Sequence, residues 1–276
     1  MVSLLGRFGQ WRRWREMRAV ARRPIADDLW RRTLQRYPFL RRRSLDDQRE
    51  LKRLASLFLD RKEFTAVGPV RLSNDVVVAI AAQACLPVLH LGLARYDGFV
   101  GIVVHADQVV ARREVMDDDG IVHAYDEMLS GEAMHGGPLM LSWRDVRSAG
   151  RSAADGYNVV IHEFAHVLDM ADGVANGVPQ LPPELPLQEW LDVMRRELEN
   201  LRRRVNAEAA DAATDADNEP EAATVLDPYG AQGIEEFFAV ASEAFFVAPV
   251  RLRDEHSALY ALLRRFYLQD PAAEAA

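Results

Sequence analysis

Hydrophobic and polar positions along the chain sort into a run of helices with a few short strands among them. From Ser44, "SLDDQRELKRLASLFLDRKEF" opens with a capping-box-like S-x-x-D, and Leu51, Leu54, Ala55, Phe58 and Leu59 recur at helical spacing. The pattern predicts a helix over about 45–63. "SNDVVVAIAAQACLPVLHLGL" has a cap at Ser73 or Asn74 and is apolar almost all round, so it predicts a buried helix that ends or kinks before Pro87.

"GFVGIVVHAD" is rich in β-branched and aromatic residues and predicts a strand. "QVVARREVM" reads as a weaker strand, "DDDG" at 117–120 as a turn, and "GGPLMLSWRDV" as a strand over roughly 139–143. A helix follows over about 156–171, stopped near Gly173. Residues 186–205 make a charged amphipathic helix, and "IEEFFAVASEAFFVAP" an apolar one bearing acids, over about 233–247, stopped before Pro249. "EHSALYALLRRFYLQ" is the last helix. Helices dominate and the strands are segregated, so the predicted class is α+β.

Two segments stand apart. Residues 1–43 carry dense Arg and scattered Trp, and read as an Arg-rich N-terminal arm ahead of a folded unit at 44–271. Residues 207–224, "AEAADAATDADNEPEAAT", read as a mobile acidic insertion or frayed helix end, and 272–276 as a tail.

Composition narrows the class. The 276 residues are 49% hydrophobic and 28% charged, ordinary for a globular chain with a sizeable core. A net charge of −8 argues against a surface built to coat nucleic acid or anionic lipid. The single cysteine, Cys85, forbids an internal disulfide and makes a reducing compartment the expectation. The N-terminus has no uninterrupted apolar h-region, and no stretch approaches the roughly 20 apolar residues that span a bilayer. The expectation is a cytoplasmic protein without stable membrane insertion.

The candidate chemistry lies in "NVVIHEFAHVLDMADG", residues 158–173. His162 and His166 are four apart and share one helix face, so their nitrogens can point at a common cation. Glu163 sits beside them, able to reach a water at that cation. This is H-E-x-x-H, a zinc-peptidase signature. Free imidazoles are poorly placed among Val159, Val160, Ile161, Phe164, Ala165, Val167 and Leu168, whereas a metal satisfies all three polar groups. Asp169 lies three residues past His166 and is a candidate to accept a histidine N–H.

Zinc needs a third protein ligand, with the fourth position open. Residues 167–173 hold no histidine, and His90, His105, His123, His135 and His256 are isolated. A carboxylate from the later apolar helix is the alternative. Glu236 and Glu243, seven apart, share a face there; one could bind metal while the other supports a ligand.

"NVVIHEFAHVLDMADGVANGVP", "YGAQGIEEFFAVASEAFFVAP", "ACLPVLHLGL", "GPLMLSWRDV" and "FYLQDP" together resemble the Mlc titration factor A family of zinc-dependent peptidases, over roughly residues 45–271. The resemblance implies a zincin-like fold similar to the catalytic domain of anthrax lethal factor. It implies zinc on His162, His166 and Glu236 (a gluzincin-like set), Glu163 as base, and Tyr229 beside the metal. It further implies a cytoplasmic protein with aminopeptidase-type activity on a peptide or protein substrate. The family's best-known member also binds the glucose repressor Mlc, so a repressor-type transcription factor is an implied partner. The chain departs from the family's pattern at its Arg-rich N-terminus and longer acidic insertion. The substrate is expected extended along the edge of the 139–143 strand, with "DGVANGVPQL" walling the cleft. A rival class is a regulator-binding protein with a structural metal, which predicts a fourth protein ligand closing the site.

Overall fold

The computed structural model describes residues 14–107, 109–116, 122–129, 131–133, 137–214 and 224–275. Residues 14–22 form α1. Then come α2 (Asp27–Arg36), α3 (Pro38–Arg41), α4 (Leu45–Arg61), β1 (Glu63–Val67), α5 (Asn74–Cys85), β2 (Gly101–His105), β3 (Val109–Met116), β4 (Val122–Leu129), β5 (Gly131–Ala133) and β6 (Leu139–Ser142). The second half is helical: α6 (Trp143–Ser152), α7 (Val159–Asp169), α8 (Leu187–Thr214), α9 (Ile234–Val247), α10 (Pro249–Glu255), α11 (Ser257–Tyr267) and α12 (Pro271–Glu274).

The chain is thus mostly helical with a small mixed sheet, an α+β arrangement. The sheet runs β1-β2-β6-β5; β1, β2 and β6 are parallel and β5 is antiparallel. β3 and β4 form a separate antiparallel pair. Parallel pairing needs crossovers, and these are supplied by α5 between β1 and β2 and by the β3–β4 excursion between β2 and β6.

Local signals explain the elements that carry the site. Ser44 caps α4 by accepting from the Asp47 amide, and Leu51, Leu54, Ala55 and Phe58 face the core, as their spacing predicts. α4 yields to β1 at Lys62, two residues before the predicted end. The side chain of Lys62 is buried and donates to the carbonyls of Tyr96 and Phe99, closing the loop ahead of β2. α5 is buried nearly all round, including Cys85 and the polar Gln83.

Three readings change with the structure. Strand 139–143 was expected to offer a free edge, but β6 pairs on both sides, with β2 and β5. The outer edge therefore passes to β5 among the described residues. α8 runs on to Thr214, into the predicted acidic insertion, because its Ala-rich stretch continues helix; residues 215–223 lie outside the described residues, as does the turn at 117–120. Residues 14–43, read as an arm set apart from the folded unit, hold α1, α2 and α3 and pack on it. Their arginines mostly face outward while Ala19, Ile25, Leu29, Trp30, Leu34, Tyr37, Phe39 and Leu40 enter the core. Tyr37 donates to the Val146 carbonyl at 3.0 Å, and buried Arg43 pairs with Glu274 of α12 at 3.0 Å. α2 and α6 approach so closely that a Cβ at Gly150 would lie 2.0 Å from the Arg36 carbonyl oxygen.

Candidate metal centre

α7 is placed by its cap. Asn158, fully buried, accepts from the Ile161 amide at 3.0 Å, which starts the helix there rather than at 156. Val159, Val160, Ile161, Phe164, Ala165 and Leu168 anchor α7 against α5, α9 and the sheet. The remaining face carries His162 and His166, with Glu163 beside them. α7 ends in a 3-10 turn, Met170–Asp172, and Gly173 takes the left-handed conformation (φ 100°), as the sequence predicts.

α9 crosses α7 and brings two carboxylates. Glu236 lies in its first turn, and Glu243 two turns on is wholly buried. His162 Nδ1–H donates to Glu243 Oε1 at 2.7 Å. With Nδ1–H committed to Glu243, Nε2 is the nitrogen left to bind a cation once its own proton is displaced. Nε2 lies 3.2 Å from His166 Nε2 and 3.1 Å from Glu236 Oε2; His166 Nε2 lies 3.3 Å from the same Glu236 oxygen.

Three atoms of metal-ligand type thus form a nearly equilateral triangle. Tetrahedral zinc with bonds of about 2.0–2.1 Å separates its ligand atoms by about 3.3–3.4 Å, so the triangle has the edge length of such a set. Without a cation or proton between them, converging lone pairs repel. Their side chains retain 12%, 13% and 20% exposure, so the triangle is reachable from outside. Among the described residues, His162, His166 and Glu236 are the group suited to hold a metal ion.

Electrostatics follow from burial and mutual contact. Burial opposes charge on His162, but the Glu243 carboxylate and the hydrogen bonds to Glu236 and Glu243 outweigh it and hold the imidazolium well above its ordinary range. Burial likewise opposes ionisation of Glu236, and the hydrogen bonds and charge from the two histidines override it, holding the carboxyl at about 2. Glu163 is different. Burial dominates and pushes it to about 7, and its buried Oε2 has no protein partner. An orphaned carboxylate oxygen beside a triangle of ligand-type atoms leaves a place for water or substrate to be bonded.

The structure brings His162, Glu163, His166, Glu236 and Glu243 together. Of the two carboxylates left open by spacing, Glu236 faces both histidines and Glu243 backs one of them. Tyr229 joins the group from a 3-10 turn, Pro228–Ala231, with its ring centroid 6.0 Å from that of His162. Asp227 accepts from the Tyr229 amide and Arg202 donates to the Ala231 carbonyl, which fixes that turn. Asp169 does not meet a histidine. Its carboxylate accepts from the Gly177 amide at 2.9 Å, because the chain folds back over the end of α7 and offers amides there. Two supporting residues were missed. Asn158 donates its backbone N–H to Glu243, and its side-chain amide donates to Gln83 Oε1 at 2.9 Å. The signals were present: an Asn directly before an apolar helix, and a lone Gln in an otherwise apolar one.

Comparison with known proteins gives the chain's relatives. A family model described as glucose-regulated metallo-peptidase M90 matches residues 11–268. An uncharacterized protein of Synechocystis sp., slr2042, is 33% identical over 273 residues, 98% of this chain and 94% of its own. The Mlc titration factor A of Salmonella arizonae is 34% identical over 248 residues, covering 90% of this chain and 93% of the relative. That of Pectobacterium atrosepticum is 32% identical over 237 residues, 86% and 84% respectively.

Proposed function

The chain belongs to the glucose-regulated metallo-peptidase M90 family, and from that premise we propose that it is a zinc-dependent peptidase with a zincin-like site, hydrolysing peptide bonds with Glu163 as general base. The observation that carries this reading is the triangle of His162, His166 and Glu236 with edges of 3.1–3.3 Å beside the unpartnered Glu163 Oε2. Two imidazoles and one carboxylate are a donor set suited to zinc in an open catalytic site.

A cation held there supplies Lewis acidity, bringing the pKa of water to about 7 and polarising a carbonyl. The protein's groups do the rest. Glu243 and Asn158 hold the His162 ring, so that its Nε2 stays a ligand rather than a donor. Glu163, with a pKa of about 7, is matched to take a proton from the attacking water near neutral pH and deliver it to the departing amine. The Tyr229 hydroxyl is our candidate donor to the developing oxyanion. The outer edge of β5, which runs beside α7, supports an extended substrate adding as a further strand. We expect aminopeptidase-type action, on the family resemblance, and a cytoplasmic location, on the lone buried thiol.

The test is metal analysis together with cleavage of a mixed peptide library, wild type beside Glu163→Gln. We expect about one zinc per chain in both proteins and cleavage in the wild type only. Equal cleavage by both removes Glu163 from the role of base, and absence of zinc from the wild type removes the reading.

A second reading draws on the names of the relatives, Mlc titration factor A. They support binding of a repressor-type transcription factor, alongside or instead of hydrolysis. Repressor binding that survives Glu163→Gln undiminished in a protein without peptidase activity favours it.

A further inference from the structure

The turn that follows α7 is tied at Gly177 to three helices. Its N–H donates to Asp169 Oδ2 at 2.9 Å, and the indole N–H of Trp190 donates to its carbonyl at 2.8 Å. Asp169 and Trp190 are both fully buried. The same turn is closed locally by the Val178 amide, which donates to Asn176 Oδ1 at 2.9 Å. Trp190 packs its ring on Phe238 of α9 and Phe266 of α11, with centroids 5.7 and 5.3 Å apart.

Gly177 also touches the start of α9. Its φ is +69°, and a Cβ there would lie 2.7 Å from the Ile234 carbonyl oxygen, 2.9 Å from Ile234 Cγ1 and 3.1 Å from the Ile234 carbonyl carbon. Side-chain carbons do not approach backbone that closely, so something must move. The group in the way is the first carbonyl of α9, in the turn that carries Glu236. On the other side, Asp169 is three residues past His166 on α7. The clasp therefore joins the end of the histidine helix to the beginning of the carboxylate helix.

We propose that Asp169, Gly177 and Trp190 form a positioning clasp that sets the distance between Glu236 and the two histidines, with Gly177 as the residue that allows α9 to come close enough. The inference rests on the metal-centre reading above and adds to it the element that holds the third ligand in register. Positioning partners of this kind change metal affinity by about 10–100-fold when removed.

The experiment measures zinc affinity of the full-length apoprotein by competition with a chromophoric chelator. Four proteins are compared: wild type, Gly177→Ala, Glu236→Ala and the double variant. Gly177→Ala is expected to weaken zinc binding by about 10–100-fold in the wild-type background and by less than about threefold when Glu236 is already absent. A merely structural role moves the melting temperature of the apoprotein but gives the same affinity loss in both backgrounds, and that result overturns the proposal. Unchanged affinity in Gly177→Ala also overturns it, while leaving the metal centre intact. A wild type that binds no zinc overturns both readings. Should the alanine variant fail to fold, Trp190→Phe removes only the indole donor and keeps the packing. A several-fold loss of zinc affinity that vanishes in the Glu236→Ala background is expected, and no loss refutes the clasp.

Discussion

Among the described residues, two part-buried histidine–glutamate pairs are opposites. On α9 and α7, His162 donates Nδ1–H to Glu243 at 2.7 Å. Just ahead of α11, His256 Nδ1 meets Glu197 of α8 at 3.0 Å, likewise in a part-buried setting. The first rings of partners match; the second nitrogens do not. His256 Nε2 faces the Thr224 hydroxyl at 3.2 Å, which can turn its proton toward the ring. His162 Nε2 faces His166 Nε2 and a Glu236 carboxylate oxygen, two further atoms of metal-ligand type, in place of a hydroxyl. A buried histidine on a carboxylate is thus an unremarkable structural unit until its other nitrogen is left among acceptors. Convergence of three ligand-type atoms, rather than burial or pairing, marks the candidate place for a cation.

The comparison can be broken most forcefully at Glu163. Glu163→Gln should lower peptide hydrolysis by about 10²–10⁴-fold with zinc retained, while His256→Gln leaves the rate at wild-type level. A rate loss in the His256 variant alone would reverse the assignment of the two pairs. Next in size is Glu243→Ala, expected to weaken zinc binding by about 10–100-fold, read by chelator competition. Glu197→Ala should leave zinc affinity unchanged.

The converse experiment is smaller. His256→Phe takes the histidine from the Glu197 carboxylate, leaving it Arg196 at 3.5 Å, and should cost about 1–3 kcal/mol in urea unfolding, without touching metal content. The hydrogen bond from His256 holds Glu197 below the usual carboxylate range. A depressed folded value means that the stabilisation is present above about 4.5 and fades as pH falls below it. The gap between wild type and variant should therefore narrow on acidification to pH 3. Smallest of all is a proton count. Apo His162 is charged at neutral pH and Glu163 titrates near 7, so zinc binding at pH 7 should release about one to 1.5 protons. Calorimetry in buffers of different ionisation enthalpy reads that number, and zero release contradicts a protonated apo site.

Much of this was legible in the sequence, unevenly. Capped, periodic helices such as α4, α7 and α9 were read to within a few residues, because Ser44 and Gly173 are local signals and a long apolar stripe has one period. The H-E-x-x-H face needed no tertiary information. The choice between Glu236 and Glu243 did, since a seven-residue spacing puts both on one face and only the crossing of α7 over α9 tells which end meets the histidines. The predicted helix takes in only Glu63 of β1 and no strand is predicted over the rest, because its five residues follow α4 closely, with no turn signal between. The edge position assigned to strand 139–143 could not be tested from its own pattern, as strand order is a long-range property. Tyr37, Trp30 and Leu40 lay hidden in a stretch whose arginine content drew the eye to charge.

Cys85, the last residue of α5, is wholly buried, and burial pushes its thiol far above the ordinary range. An alkylating reagent has no access to it in the folded state. Each molecule labelled in a pulse has consequently come apart at the core, so the chain carries its own clock for unfolding, and the clock's rate with and without zinc tells how far the ion secures the whole body.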